Sequence, residues 1–206
     1  MLSLAACKDS DGEVDEFDDW QNRNVAYFMD VRGRALDSIR QAKNMYGEDW
    51  EGQCNWKTYL SYSLDETVPN RAIDSIYVQV LRKGTGDVSP FATDSCRIFY
   101  RGRLIPTANY PEGMVYSHPG QSSKFEDVFD RRTAVPTLRK AASFERGVCT
   151  ALIRMRVGDR WRVYIPYPLG YGVSTEHENI PAYSTLVYEV ELVAFYRNGS
   201  NVPSWN

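Results

Sequence analysis

The chain has 206 residues, 43% hydrophobic and 25% charged, which excludes wholesale disorder and allows one ordinary domain with an additional segment. A net charge of −3 argues against a nucleic-acid binder that works by neutralising phosphates. The balance is uneven, with 15 acidic against 8 basic side chains over residues 1–75, so an acidic leader precedes the main domain.

In chain order, no apolar stretch approaches the roughly 18 residues needed to span a bilayer. Leu4-Ala5-Ala6-Cys7 nevertheless resembles the lipobox of bacterial lipoproteins, in which Cys7 would be lipidated and become the mature first residue. The charged and longer apolar regions of a signal peptide are missing upstream. A start codon assigned too late explains this; the alternative is a chance LAAC. Residues 8–19 then hold seven acids and one Lys, a solvated tether. The expected location is a bacterial cell envelope, facing the periplasm or the exterior, with membrane contact only through the anchor at Cys7. The resulting divisions are 1–19 (lipobox remnant and tether), 20–73 (helical extension and connector), 74–197 (main domain) and 198–206 (tail).

Residues 14–46 predict a helix. Phe28, Val31, Ala35, Ile39, Ala42 and Tyr46 recur at three- and four-residue steps and make one apolar stripe. This stripe is expected to pack on the following domain, because its polar face lacks the basic character of a membrane-lying helix. Residues 47–72 read as a connector that buries Trp50, Trp56 and Tyr59. From 74 the period becomes two. Strands are predicted at Ile76–Leu81, from Cys96 to Tyr100, at Arg160–Ile165 and over Leu186–Leu192, and Val148, Leu152 and Met155 mark a short helix. Strands, one helix and strands again indicate an α+β fold.

Cys54, Cys96 and Cys149 lack C-x-x-C spacing, so zinc and thioredoxin-like chemistry are disfavoured and no metal is expected. Cys96 and Cys149 read as small buried hydrophobes. An oxidising compartment would permit a disulfide among the three cysteines, but the sequence does not choose a pair. No G-x-S-x-G frames a nucleophile. His118 and His177 lie in polar stretches and read as solvated, and Gly84-Thr85-Gly86 is a turn.

Several blocks in order carry a resemblance. Phe99-Tyr100-Arg101-Gly102, Gly158–Pro166, Leu169-Gly170-Tyr171-Gly172, Ile180-Pro181 and Ser184–Leu192 resemble the FKBP-type peptidyl-prolyl isomerases over roughly residues 76–196. The resemblance implies a curved, half-open antiparallel sheet of five or six strands wrapped around one short helix near 147–156, here preceded by a long N-terminal helix. It places a prolyl pocket between helix and sheet, lined by Tyr100, Phe144, Val148, Ile180 and Tyr188. Tyr171 would be the catalytic hydroxyl, donating to a carbonyl of the bound peptide. Tyr100 and Tyr188 would equally well fill the core of any sheet protein.

The middle of the domain admits two registers. In the preferred one, Gly113-Met114-Val115-Tyr116 reproduces the family's spacing, with Tyr116 as the pocket aromatic and Ser117 in place of its usual Asp. In the alternative, Phe129 and Asp130 supply that pair after a longer insertion. Two departures stand at the helix entry. Val148 replaces a frequent Trp, and Glu145 occupies a position that is usually apolar.

The resemblance implies an isomerase acting on X-Pro bonds of envelope or secreted polypeptides as a monomer, with no cofactor and no nucleic-acid partner. The alternative is a catalytically weak or inactive module that binds prolyl or extended segments. A third class keeps the fold only as a scaffold.

Overall fold

The computed structural model describes residues 15–65, 67, 71–119, 134–175, 177 and 179–205. Cys7, Phe129 and Asp130 lie outside them, so the lipidation site and the alternative register have no structural account.

The first helix, α1, runs Trp20–Tyr46. It starts later than the predicted residue 14, because Asp19 takes a left-handed conformation (φ 48°) and residues 16–19 form turns instead. Phe28, Val31, Ala35, Ile39 and Ala42 are buried as the stripe requires, whereas Tyr46 in the last turn stays exposed. A short helix α2 (Trp50–Gln53) and strand β1 (Trp56–Leu60) follow. The stretch read as a connector therefore contributes a strand. It escaped notice because it is five residues long and large side chains point both ways: Trp56 packs towards α1, and Tyr59 stacks on Trp161 with ring centres 6.0 Å apart.

Strands β2 (Ser75–Arg82), β3 (Ser95–Arg103), β4 (Val115–Ser117) and β5 (Thr137–Lys140) come next, then α3 (Arg146–Leu152), β6 (Arg160–Ile165) and β7 (Leu186–Tyr196). They form one antiparallel sheet of seven strands, not five or six, in the order β1-β2-β6-β7-β3-β4. β5 shares the outer edge of β3 with β4, pairing Ser95–Ile98 while β4 pairs Gly102–Arg103. Both added strands are three or four residues long, too short for a period of two to show.

Alternation along the central strands gives the sheet two apolar faces. Ile76, Val78, Val163, Ile165, Leu186, Tyr188, Val190 and Leu192 point inward. There they meet α3, in which every residue from Gly147 to Leu152 is buried, and the Thr150 hydroxyl is satisfied by donating to the Arg146 carbonyl at 2.7 Å. Their neighbours Tyr77, Tyr164 and Val187 point outward and are covered by α1. Phe28 sits 5.4 Å from Tyr77 in this second core, and Trp56 stacks on Tyr164 at 5.8 Å. Beyond the edge of α1 the outer face turns charged. Glu189 pairs with Arg160 and Arg162, and the buried Glu191 with Arg82 at 2.8 Å.

Polar contacts fix the start of α1. The Trp20 indole N–H donates to Ser184 Oγ at 3.0 Å. Buried Asn24 accepts the Thr185 backbone N–H at 2.7 Å. At the far end of the sheet, the Arg97 guanidinium donates to the Tyr196 hydroxyl and to the Pro203 carbonyl, drawing the C-terminal tail back so that Trp205 meets Phe99 edge-on. Cys54, Cys96 and Cys149 are all buried and all free, so none of them forms a disulfide.

Truncating Phe28 to Ala should destabilise the protein by about 3–5 kcal/mol in urea titrations, the usual cost of deleting a buried aromatic ring. Unfolding should remain one transition by fluorescence and circular dichroism, because α1 shares its sheet with the inner core. Two separated transitions would show that α1 is an independent unit.

Candidate active site

At the entry to α3, side chains from five segments converge. Tyr100 comes from β3, Tyr116 and Ser117 from β4, Phe144 and Glu145 from the approach to α3, Tyr171 from the loop after β6, and Tyr188 from β7. Tyr100 stacks on Tyr188 with ring centres 5.7 Å apart and meets Phe144 edge-on at 6.4 Å. Tyr116 lies edge-on to both Tyr171 (6.2 Å) and Tyr188 (6.1 Å). Offset and T-shaped contacts of this kind let several rings share a wall without opposing their π-faces. The Tyr100 and Ser117 hydroxyls are 3.2 Å apart, which ties β3 to β4 across the box.

Two glycines explain how the sequence builds it. A side chain at Gly102 would put its Cβ 2.7 Å from the Tyr116 ring, so β3 must be bare where Tyr116 crosses it. Gly113 has φ 85°, and a Cβ there would lie 2.1 Å from the Leu104 carbonyl oxygen. Only glycine makes that turn without strain, and it delivers Val115–Ser117 back onto β3. Along the described residues, the register from Gly113 to Tyr116 is the one that brings an aromatic ring into the box.

The remaining residues named from the sequence lie deeper. Val148 is 1% exposed and belongs to the core beneath the box, and Ile180 is also buried. Two features were not foreseen. His177, read as solvated, is exposed but sets its ring 4.4 Å from that of Tyr171. The second concerns the hydroxyl of Tyr171. It donates to Glu145 Oε1 at 2.5 Å, while Glu145 Oε2 is buried with no hydrogen-bond partner. Glu145 stands at the N-cap of α3, where its carbonyl accepts the Cys149 N–H at 2.9 Å, but its side chain makes no cap. The carboxylate turns to Tyr171 instead. The sequence signalled an unusual Glu at this place but not its partner.

Burial governs the phenols of the box. Burial is the main cause that holds Tyr171 well above the ordinary tyrosine range, and the hydrogen bond to Glu145 and its charge add to it. Tyr188 is raised by burial and then by Glu145, and Tyr116 by burial and then by Tyr188. On the outer face Tyr27 is pushed up to about 12, by burial first and then by Tyr164. These hydroxyls are neutral donors throughout the physiological range. The Glu145 carboxylate beside the rings is held by the Tyr171 hydroxyl, so the arrangement suits binding and desolvating a ligand rather than covalent attack.

Each of these phenols ionises at higher pH in the fold than in the unfolded chain, where tyrosine ionises near about 10. Their contribution to stability is whole below that value and is lost as pH rises through the folded values. The urea midpoint should therefore fall steeply above about pH 10. Phenolate absorbance should reveal a group of tyrosines that ionise only as the fold is lost; ionisation of all 14 tyrosines with the fold intact would contradict the burial described here.

Comparison with known proteins agrees with this geometry. A family model described as FKBP-type peptidyl-prolyl cis-trans isomerase matches residues 86–193, which include every described residue of the box. The chain is similar to the macrophage infectivity potentiator of Trypanosoma cruzi, with 34% identity over 121 residues, covering 59% of this chain and 53% of that protein. It is also similar to the FKBP-type 22 kDa peptidyl-prolyl cis-trans isomerase of Escherichia coli, with 29% identity over 175 residues, 84% of this chain and 76% of the relative. The chain thus spans about half the length of the trypanosome protein and three quarters of the bacterial one. Among solved structures, a peptidyl-prolyl cis-trans isomerase of Pseudomonas syringae superposes with a TM-score of 0.49 at 25% identity, covering 80% of this chain and 96% of the other.

Proposed function

The chain belongs to the FKBP-type peptidyl-prolyl cis-trans isomerase family, and on that premise we propose that it accelerates rotation about X-Pro bonds in polypeptides that enter the box. The observation that carries this reading is the convergence of Tyr100, Tyr116, Phe144, Tyr171 and Tyr188 at one end of α3, with a buried phenol hydroxyl among them.

The chemistry needs no covalent step. Amide resonance sets a barrier of about 18–20 kcal/mol, and an X-Pro bond lacks the strong trans preference of other peptides. The twisted transition state has less charge separation than the planar amide. A water-poor aromatic site therefore favours it over the ground state. The rings hold the prolyl side chain, and the Tyr171 hydroxyl donates to a carbonyl of the peptide, fixing the residue that must not turn. Neutral phenols suit this role, because a phenolate would repel the carbonyl.

One observation favours the second reading, a binding module of low turnover: the Tyr171 hydroxyl is already held by Glu145. A peptide carbonyl must displace a charged acceptor to reach it, which taxes catalysis more than it taxes ring packing. The place of action is a separate proposal, supported by Leu4-Ala5-Ala6-Cys7: the protein acts on envelope polypeptides while a lipid on Cys7 holds it to the membrane. Radiolabelled palmitate fed to the producing cells should enter the protein and be lost in Cys7→Ser.

A protease-free exchange assay on X-Pro peptides tests the activity. The full chain should accelerate isomerisation, and Tyr171→Phe should lower kcat/KM by roughly 5- to 10-fold, the equivalent of one net hydrogen bond of about 1–1.4 kcal/mol. Peptide binding by well-folded protein without acceleration would establish the binding module instead.

A further inference from the structure

We propose that Glu145 determines which X-Pro bonds this site takes, favouring a proline preceded by lysine or arginine. The proposal rests on the isomerase reading above and names the substrate class of that site.

The two oxygens of the Glu145 carboxylate stand in different surroundings. Oε1 accepts the Tyr171 hydroxyl, and Oε2 is shut away from solvent with no hydrogen-bond partner. A buried carboxylate oxygen without a donor is costly and is usually satisfied by a ligand, a water or an ion pair. Two cations close in sequence are directed elsewhere. Arg146 donates to the Pro168 carbonyl, and Arg139 donates to the Ser143 carbonyl while lying over the Phe144 ring at 4.8 Å. Among the described residues, the Glu145 carboxylate is thus half satisfied, and by a neutral phenol.

Substrate binding makes the deficit larger. When a peptide carbonyl takes the Tyr171 hydroxyl, Oε1 loses its donor too, and a negative carboxylate is left beside an incoming acceptor. Three kinds of residue before the proline then behave differently. An apolar side chain supplies nothing to Glu145, and an acidic one adds a like charge. A lysine or arginine side chain is long enough to fold back from the backbone and place its N–H groups on the released carboxylate, forming a charge-assisted pair at the moment the old bond is given up. The exchange of Tyr171 from carboxylate to carbonyl is thereby balanced within the complex. Glu145 touches the substrate side chain and not the rotating bond, so it sets preference rather than chemistry.

The test uses the full chain and four peptides that differ only in the residue before proline: lysine, acetyl-lysine, norleucine and glutamate. Acetyl-lysine keeps the length and removes the charge, so the comparison stands even if a protein variant folds poorly. In the wild-type protein, kcat/KM for the lysyl peptide should exceed those for norleucyl and acetyl-lysyl peptides by about tenfold, the scale of one charge-assisted hydrogen bond. The glutamyl peptide should be poorest, and the lysyl advantage should shrink as salt rises. Glu145→Ile should abolish the preference, and Glu145→Gln should retain only part of it. Equal rates on all four peptides in the wild type, or a lysyl preference unchanged in both variants, would overturn the proposal and leave the isomerase reading standing. So would a uniform rise on every peptide in Glu145→Ile, which would make Glu145 a non-selective block on Tyr171. If the wild-type protein and both variants, folded by near-ultraviolet circular dichroism, accelerate no peptide, the isomerase reading falls and the proposal with it.

Discussion

A sheet with large apolar side chains on both faces must be covered twice, and this constraint organises the whole molecule. Tyr77 and Tyr164 cannot turn inward without displacing Val78, Val163 and Ile165 from α3, because neighbours on a strand point to opposite sides. They require a second cover, and α1 supplies it. The N-terminal helix is therefore part of the fold and not an appendage to it. With α1 on its outer face and α3 on its inner one, the sheet brings β3, β4 and β7 together at the aromatic box.

The same constraint explains what the sequence disclosed. β6 and β7 were readable because each alternates without interruption between a buried and an outward series, Trp161-Val163-Ile165 and Leu186-Tyr188-Val190-Leu192. The stripe of α1 was readable for the equivalent reason at a period near 3.6. What escaped notice lacks periodicity. β4 and β5 are held by their register on β3 rather than by their own composition, and β1 is five residues whose aromatic side chains serve two different cores. The start of α1 depends on a single backbone conformation at Asp19, which no residue pattern announces.

The site divides in a similar way. Tyr100, Tyr116, Tyr171 and Tyr188 could be placed because each sits in a short motif that resembles the family's. Gly102 lies flat beneath the Tyr116 ring, and Gly113 turns the chain that delivers it. Val148 and Ile180, named with those tyrosines, are buried in the same inner core as Tyr188. The contact of Glu145 with Tyr171 was beyond sequence reasoning. A Glu at a helix N-terminus ordinarily turns towards the backbone amides of the first turn, and here that turn is closed among apolar neighbours while a phenol stands within reach.

The ties of Trp20 to Ser184 and of Asn24 to Thr185 have a consequence for how the protein comes into being. They join positions 164 and 161 residues apart, and β3, in the middle of the chain, finds its longest partner only in β7, the last strand. α1 is synthesised before the sheet, yet the surface that hides its apolar stripe is complete only when β7 has been made. Contacts so distant along the chain make for slow closure. Until then the nascent polypeptide displays Phe28, Val31 and Ile39 to its surroundings, which exposes it to aggregation. A protein placed by its family among catalysts of prolyl isomerisation thus has a long wait built into its own folding.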